Sequence, residues 1–397
     1  MEALQALAHL TDRVPTTFQN QTGKEVPIGN ITKMRAPQGR GSTAVRIVEV
    51  GPRDGLQNFK THVATETKLE LVERLRQTGL KTIELTSIVS PKAVPQLADC
   101  RQLLSTKSIQ DLQKDEHLRL PVLTPNLKGL QIAMEHNVRE VAVFASASEG
   151  FSKVNTNCNV AEGLERARQV CDRAIKANIA VRGYVSCIFS DPFDGKTSRQ
   201  TVVDVVRSLL SMGCYEVSLG DTLGEGTVVD VQDLLLSMSD AGIAINRLAG
   251  HFHDTYGQAV ANVWAAYQCG IRTFDSSVAG LGGCPYCPGA KGNVATEDLV
   301  YLFGRAGIET GVNLDQIVEV GDWISSALGV ANESRAGRAL VAKRVLSLTK
   351  SRKGEALKRS ADMMLAPRPL SMRVGLLWQM LANFWRGRQW ILAPVGL

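Results

Sequence analysis

The feature that most constrains this chain is a repeat of element type rather than of residues. Between Val45 and Ala306, eight strand-like runs follow one another at regular spacing. They are VRIVEV (45–50), KTIELT (81–86), LPVLT (120–124), REVAVFA (139–145), IAVRGYVSC (179–187), YEVSLGD (215–221), RLAGHFHD (247–254) and IRTFDSSV (271–278). Their length and β-branched content read as strands. The stretches between them place apolar residues at helical spacing, as in 66–78, 160–177, 198–212, 228–241, 257–269 and 294–306. Gly79, Gly213 and Gly270 stand where such helices should end, a position that favours a left-handed residue. Strands separated by helices pair in parallel, so eight units in about 260 residues predict a (β/α)8 TIM barrel. The alternative is an open, doubly wound sheet, which carries a glycine fingerprint after its first strand. Here the first strand runs into GPRDGLQN instead.

The barrel is expected over 43–306. Residues 1–42 lack a hydrophobic period and collect Pro, Gly, Thr and Asn, which predicts a poorly ordered extension. Glu2, Asp12 and Glu25 sit there among few basic residues, unlike an Arg-rich, acid-poor transit peptide. Residues 307–349 read as amphipathic helices, a C-terminal helical extension that caps the barrel or forms an oligomer surface. Residues 350–397 change character: Lys/Arg clusters are followed by Trp378, Phe384, Trp385 and Trp390. Such a tail could lie on a membrane surface or a partner as an amphipathic helix; an appended segment without a catalytic role is the favoured reading.

Charge needs the same division. Residues 335–397 hold thirteen of the 45 Lys/Arg and two of the 39 Asp/Glu, so the body is mildly acidic although the whole chain is +6. An acidic body removes the case for nucleic-acid binding by the main domain. The eight cysteines, at 100, 158, 171, 187, 214, 269, 284 and 287, are dispersed, and no secretory signal precedes them. That pattern suits reduced thiols in an intracellular enzyme, mitochondrial or cytoplasmic.

In a barrel of this kind the active site lies at the C-terminal ends of the strands. Those ends carry a polar set: Arg53, Asp54 and Gln57 after the first, Glu84 and Ser87 at the second, Asp221 at the sixth, and His251 with His253 at the seventh. Two of six histidines fall in one three-residue window, and residues i and i+2 of a strand share a face. Such a pair can bind one metal ion. Barrel closure sets strand eight beside strand one, so Asp54, His251, His253 and Asn293 can converge. Two imidazoles, a carboxylate and an amide oxygen suit Mg²⁺ or Mn²⁺, with some pull toward Zn²⁺. Each residue also has a structural reading. Asp54 could cap a helix or pair with Arg53, Glu84 could be an ion-pair partner, and Asp221 in SLGDT could organise a turn. The loop GLGGCPYCPGAKGN sets Cys284 between Gly283 and Pro285 at the mouth, where a reactive thiol is expected. Cys287 completes a CxxC spacing, but nothing around it resembles a redox or zinc motif.

Taken in order, VRIVEVGPRDGLQN, IELTSIVSPKAVPQ, LTPNLKG, GYVSC, YEVSLGDT, GHFHDTYGQA and DSSVAGLGGCPY…GNVATED resemble the 3-hydroxy-3-methylglutaryl-CoA lyases, among the metal-dependent lyase and aldolase barrels. The resemblance runs from about Val45 to Leu340. It implies retro-Claisen cleavage of hydroxymethylglutaryl-CoA to acetoacetate and acetyl-CoA, as in leucine breakdown and ketone-body formation. It further implies that Asp54, His251, His253 and Asn293 hold Mg²⁺ or Mn²⁺ and that Arg53 stabilises the enolate oxygen. Cys284 and Asp221 would assist proton transfer, while Glu84 and His251 position or relay. An acyl-CoA substrate and a homodimer are the expected partners. A related 3-hydroxyacyl-CoA lyase or aldolase of a secondary pathway is the alternative. Lys291 in the glycine loop, the second cysteine and the tail beyond about 349 depart from the family pattern.

Overall fold

The computed structural model describes residues 44–283, 292–347 and 349, together with a short antiparallel ribbon of Thr17–Gln19 and Glu25–Pro27. The chain divides into two compact units, Met1–Ser334 and Arg335–Leu397. In the smaller unit, 335–347 is helical. All of the expected 350–397 tail, most of 1–42, and Cys284, Cys287 and Lys291 lie outside the described residues.

Eight parallel strands form the larger unit: β1 (Arg46–Glu49), β2 (Thr86–Ser87), β3 (Val122–Leu123), β4 (Glu140–Ser146), β5 (Ala180–Ser186), β6 (Glu216–Asp221), β7 (Leu248–Phe252) and β8 (Thr273–Ser276). They pair in the order β1-β8-β7-β6-β5-β4-β3-β2. The two ends of that order also meet. Glu49 donates its N–H to Thr82 O (3.0 Å), and Glu84 donates to Glu49 O (2.9 Å), so the sheet closes on itself. The strand-like run 81–86 is thus real, but much of it touches its neighbours through single bridges, Glu49 with Ile83 and Thr82 with Arg119. Continuous pairing in β2 and β3 is correspondingly short.

The helices are α1 (Thr65–Gln77), α2 (Cys100–Ser105), α3 (Lys107–Leu112), α4 (Leu127–Glu135), α5 (Glu149–Thr156), α6 (Val160–Lys176), α7 (Arg199–Ser211), α8 (Val228–Asp240), α9 (Ala259–Gln268), α10 (Thr296–Arg305) and α11 (Leu314–Leu328). Two crossovers are split in two. Thr106 is extended between α2 and α3. Asn157 is left-handed (φ 50°) after α5, and Asn159 restarts α6 with a capping box to Glu162. Gly79 follows α1 at φ 98°, where a Cβ would lie 2.3 Å from Gly311 O. Only glycine fits there. Helix α11 closes the outer layer against α1 and α10, and Arg74 of α1 stacks over Trp323 at 4.4 Å. No helix among the described residues is long and apolar enough to cross a membrane.

Between strands and helices lies one large apolar core, including Leu71, Leu75, Ile83, Val206, Leu209, Phe274 and Phe303. The strands also bury a charged set. Arg46 pairs with Glu216, Glu216 with Arg182 (3.0 Å), and Arg182 with Asp275 (2.7 Å). Arg182 and Asp275 are buried and their charges alternate along the chain of contacts, the condition under which buried charge is tolerated.

Candidate active site and metal centre

The segment after β1 positions the first two functional side chains. The Val50 carbonyl accepts from three successive N–H groups, of Arg53, Asp54 and Gly55 (3.2, 2.7 and 3.1 Å), coiling Gly51–Gly55 into one tight turn. Gly51 is required there. Its N–H donates to Glu49 Oε1 at 2.8 Å, and a Cβ would stand 2.5 Å from that same oxygen. The turn sets Arg53 against Glu84 and Asp54. Arg53 Nε and Nη2 each lie 2.8 Å from Glu84 Oε2, and Nη1 donates to Asp54 Oδ1 at 2.6 Å. Tyr184 adds its O–H to Glu84 Oε2 at 3.1 Å and carries the Arg53 guanidinium 5.4 Å above its ring. Burial raises the Glu84 carboxyl above its usual range despite the pull of Arg53. The opposite Glu84 oxygen, Oε1, is buried with no hydrogen-bond partner among the described residues. Burial alone would weaken the charge of Arg53, but Glu84 and Asp54 overcome it and raise its pKa.

His251 lies on β7 and His253 just beyond, where it bridges to Asn293. Their Nε2 atoms are 3.3 Å apart, and Asp54 Oδ2 is 4.0 Å from His251 Nε2. Ligand atoms of Asp54, His251 and His253 all fall within 4.8 Å of one another. Asn293 donates its amide Nδ2 to Asp54 Oδ2 (2.8 Å) and Leu281 O (3.2 Å). Its oxygen becomes available as a ligand on rotation of the amide. Asp54, His251 and His253 thus lie together, with Asn293 beside them through its amide N–H to Asp54.

The protonation states suit a cation. Burial pushes His253 down to about 4, helped by His251 beside it. Burial would raise Asp54, but Arg53 and the imidazoles hold it below the usual carboxylate range. Two imidazole nitrogens at 3.3 Å cannot both carry a proton between them. Burial would lower His251, but the hydrogen bond and charge of Asp275 raise it. Asp54 and His253 thus supply the ionised carboxylate and the unprotonated nitrogen of the donor set that a divalent cation requires.

Asp221 stands apart from this cluster. Its Oδ1 accepts from the N–H of Gly224 (3.0 Å) and Glu225 (3.2 Å), and its Oδ2 from Gly226 (3.0 Å). Asn262 secures the same loop by donating to Gly226 O at 2.7 Å. The turn-organising reading of Asp221 has this geometry behind it, although burial raises its carboxyl to about 6. Gln57 donates to Asp54 Oδ1 at 2.7 Å. Ser87 Oγ is buried, with no partner among the described residues. Cys284 lies outside them, yet both roots of its loop are held: Asn58 donates to Gly283 O at 2.7 Å, and Gly282 and Gly292 pack backbone to backbone. Tyr184, Arg182, Ser218 and Asp275 surround the site and were missed in the sequence. The available signal was charge within apolar strands, as in VRGYVS and TFDSS.

The family model described as HMGL-like matches residues 44–324, which takes in all eight strands and every described member of the site. The chain belongs to the HMGL-like family. The hydroxymethylglutaryl-CoA lyase of Bos taurus, named as mitochondrial, is 50% identical over 295 residues, covering 74% of this chain and 89% of that one. A crystal structure of hydroxymethylglutaryl-CoA lyase from Pseudomonas aeruginosa is 48% identical with a TM-score of 0.72, covering 76% of this chain and 99% of that one. An HMG-CoA lyase from Acinetobacter baumannii, in complex with coenzyme A and 3-methylmalate, is 34% identical with a TM-score of 0.71, covering 76% and 96%. These structures and the closed sheet agree on the (β/α)8 fold of the family.

Proposed function

We propose that this protein is a divalent-cation-dependent carbon–carbon lyase that cleaves 3-hydroxy-3-methylglutaryl-CoA to acetoacetate and acetyl-CoA. The observation that carries the proposal is the Arg53 guanidinium, fixed by Glu84 and Asp54, beside convergent Asp54, His251 and His253. Bound Mg²⁺ or Mn²⁺, held by these three with Asn293, would supply Lewis acidity that makes a tertiary alcohol easier to deprotonate. Retro-Claisen cleavage then leaves negative charge on the thioester oxygen. Arg53 meets that charge with a cation that cannot deprotonate. Glu84 and Tyr184 keep the guanidinium in place. Cys284 is assigned the proton that the carbanion must collect, with Asp221 assisting by holding the 222–226 loop.

Support for an acyl-CoA substrate comes from the lyase names of relatives about 50% identical and from the coenzyme A complex of one of the solved structures. The assembly is proposed to be a homodimer, to be read by light scattering, and a mitochondrial setting follows the names of the relatives. The deciding experiment is acetyl-CoA release from hydroxymethylglutaryl-CoA, measured with Mg²⁺, with Mn²⁺ and after chelation. Cation-dependent release is expected. A protein that leaves this thioester intact but cleaves another in a panel of 3-hydroxyacyl-CoA substrates would belong to the alternative pathway reading.

A further inference from the structure

The environment of His251 is not symmetrical. One ring nitrogen, Nε2, faces His253 Nε2 at 3.3 Å and Asp54 Oδ2 at 4.0 Å. The other, Nδ1, lies 3.2 Å from Asp275 Oδ2. Asp275 is buried on β8, the strand beside β7, where it pairs across with His251 in the ladder. Its carboxylate is itself held from three directions. Arg182 grips it through Nη2 to Oδ1 (2.7 Å) and Nη1 to Oδ2 (3.2 Å), and Ser218 donates its hydroxyl to Oδ2 at 2.7 Å. Arg182 is anchored in turn on Glu216 at 3.0 Å.

An ionised carboxylate only accepts hydrogen bonds, so the Nδ1 facing it must be the nitrogen that carries the proton. In the neutral ring the lone pair is then forced onto Nε2, toward Asp54 and His253. We infer that Asp275 is a positioning residue that selects the ligating tautomer and ring orientation of His251, with Arg182 and Ser218 fixing the Asp275 carboxylate. The inference rests on the metal reading of Asp54, His251 and His253, and extends it to a residue that touches neither cation nor substrate. Outer partners of a ligating histidine act in this way, and their loss weakens metal binding by about 10–100-fold.

Asn at 275 keeps the size and one acceptor for Arg182 but can offer an N–H to Nδ1, which would shift the ring proton to Nε2. The test uses the full-length, metal-free protein with ¹⁵N-labelled histidine. Long-range ¹H–¹⁵N correlations should show His251 protonated at Nδ1 in the wild type and at Nε2 in Asp275→Asn. Mn²⁺ titration followed by electron paramagnetic resonance should give a Kd raised about 10–100-fold in that variant, with its circular dichroism unchanged. A wild-type His251 protonated at Nε2 overturns the assignment, whether or not the variant folds. So does a folded variant that binds Mn²⁺ within twofold of wild type. Wild-type protein that takes up no Mn²⁺ instead overturns the metal reading, and the tautomer measurement then decides the role of Asp275 alone.

Discussion

Arg53 spends its guanidinium on two carboxylates before any substrate arrives, Glu84 through Nε and Nη2 and Asp54 through Nη1. A fork held this way is preorganised, and preorganised charge acts on the transition state without moving during the reaction. Lysine carries the charge without the planar fork. Arg53→Lys should therefore lower kcat by about two to three orders of magnitude, on the scale of losing one oxyanion donor, with little change in KM. Steady-state kinetics on hydroxymethylglutaryl-CoA reads this. Near-normal kcat with a greatly raised KM would assign Arg53 to substrate binding. His253 is a different case, because its pKa of about 4 leaves it unprotonated at neutral pH and free to ligate. His253→Ala should purify folded with most of its Mn²⁺ or Mg²⁺ lost by elemental analysis. Undiminished metal content would remove His253 from the ligand set. These candidates were legible in the sequence because the residues sit at strand ends, where polar side chains have no packing duty. Arg182 and Asp275 were not. They lie mid-strand among valines and a phenylalanine, where a sequence pattern marks burial but does not reveal which charge opposes which across the barrel.

The elements were legible in proportion to how local their causes are. Helices α6 and α8 begin with capping boxes, Asn159 with Glu162 and Thr227 with Asp230, and both fall close to the periods read at 160–177 and 228–241. The pairing of the 81–84 run was less legible, because single bridges, of Ile83 to Glu49 and of Thr82 to Arg119, depend on barrel closure rather than on neighbouring residues. Gly79 tests the local cause. Its φ of 98° and the Gly311 carbonyl 2.3 Å from an added Cβ make Gly79→Ala costly twice over, by left-handed strain and by collision. Strain alone is about 1–2 kcal/mol, so calorimetry should show the melting temperature falling by several degrees. An unchanged value would mean that α1 and the 311–313 segment can separate freely. The turn Val278–Gly280 tests burial of charge. Ala279, at φ 59°, donates its N–H to both oxygens of Glu297 (3.1 and 3.0 Å), and Glu49 accepts from Val278 at 2.9 Å. Burial raises Glu297 from 4.5 to about 8 and Glu49 to about 7. Both are raised acids, so the folded state binds more protons than the unfolded state between about pH 5 and 8. The contribution of these two groups to stability should be full below about pH 4.5 and be lost as pH rises through about 7 and 8. A tenfold difference in proton affinity between folded and unfolded states is worth about 1.4 kcal/mol, so the decline should reach a few kcal/mol. Glu297→Gln, neutral at every pH, should make it shallower, leaving the part that Glu49 contributes. Melting curves from about pH 5 to 8 that are equally steep in both proteins would place the dependence elsewhere.

At the scale of the whole molecule, two lines of observation divide the chain near the same place. Charge changes sign, since residues 335–397 hold thirteen basic and two acidic side chains against an acidic body. Compactness also breaks, with one unit ending at Ser334 and the other beginning at Arg335. The family match stops earlier, at residue 324. Every described residue assigned to the site, from Arg53 to Asn293, lies before that point, and α11, which completes the outer layer against α1 and α10, ends only four residues past it, at Leu328. Because the described site residues all precede Ser334, the prediction is that the basic, tryptophan-bearing segment takes no part in the chemistry. A chain ending at Thr349 should therefore fold, melt as one transition within a few degrees of full length, and release acetyl-CoA at the full-length rate. If the tail serves a membrane surface instead, the same truncation should abolish co-sedimentation with anionic vesicles while leaving turnover intact, since basic residues near such a surface add attraction one by one. Loss of folding and turnover together in the shortened chain would show that residues beyond 349 complete the core. The division between an acidic catalytic body and a separate basic appendage would then be wrong.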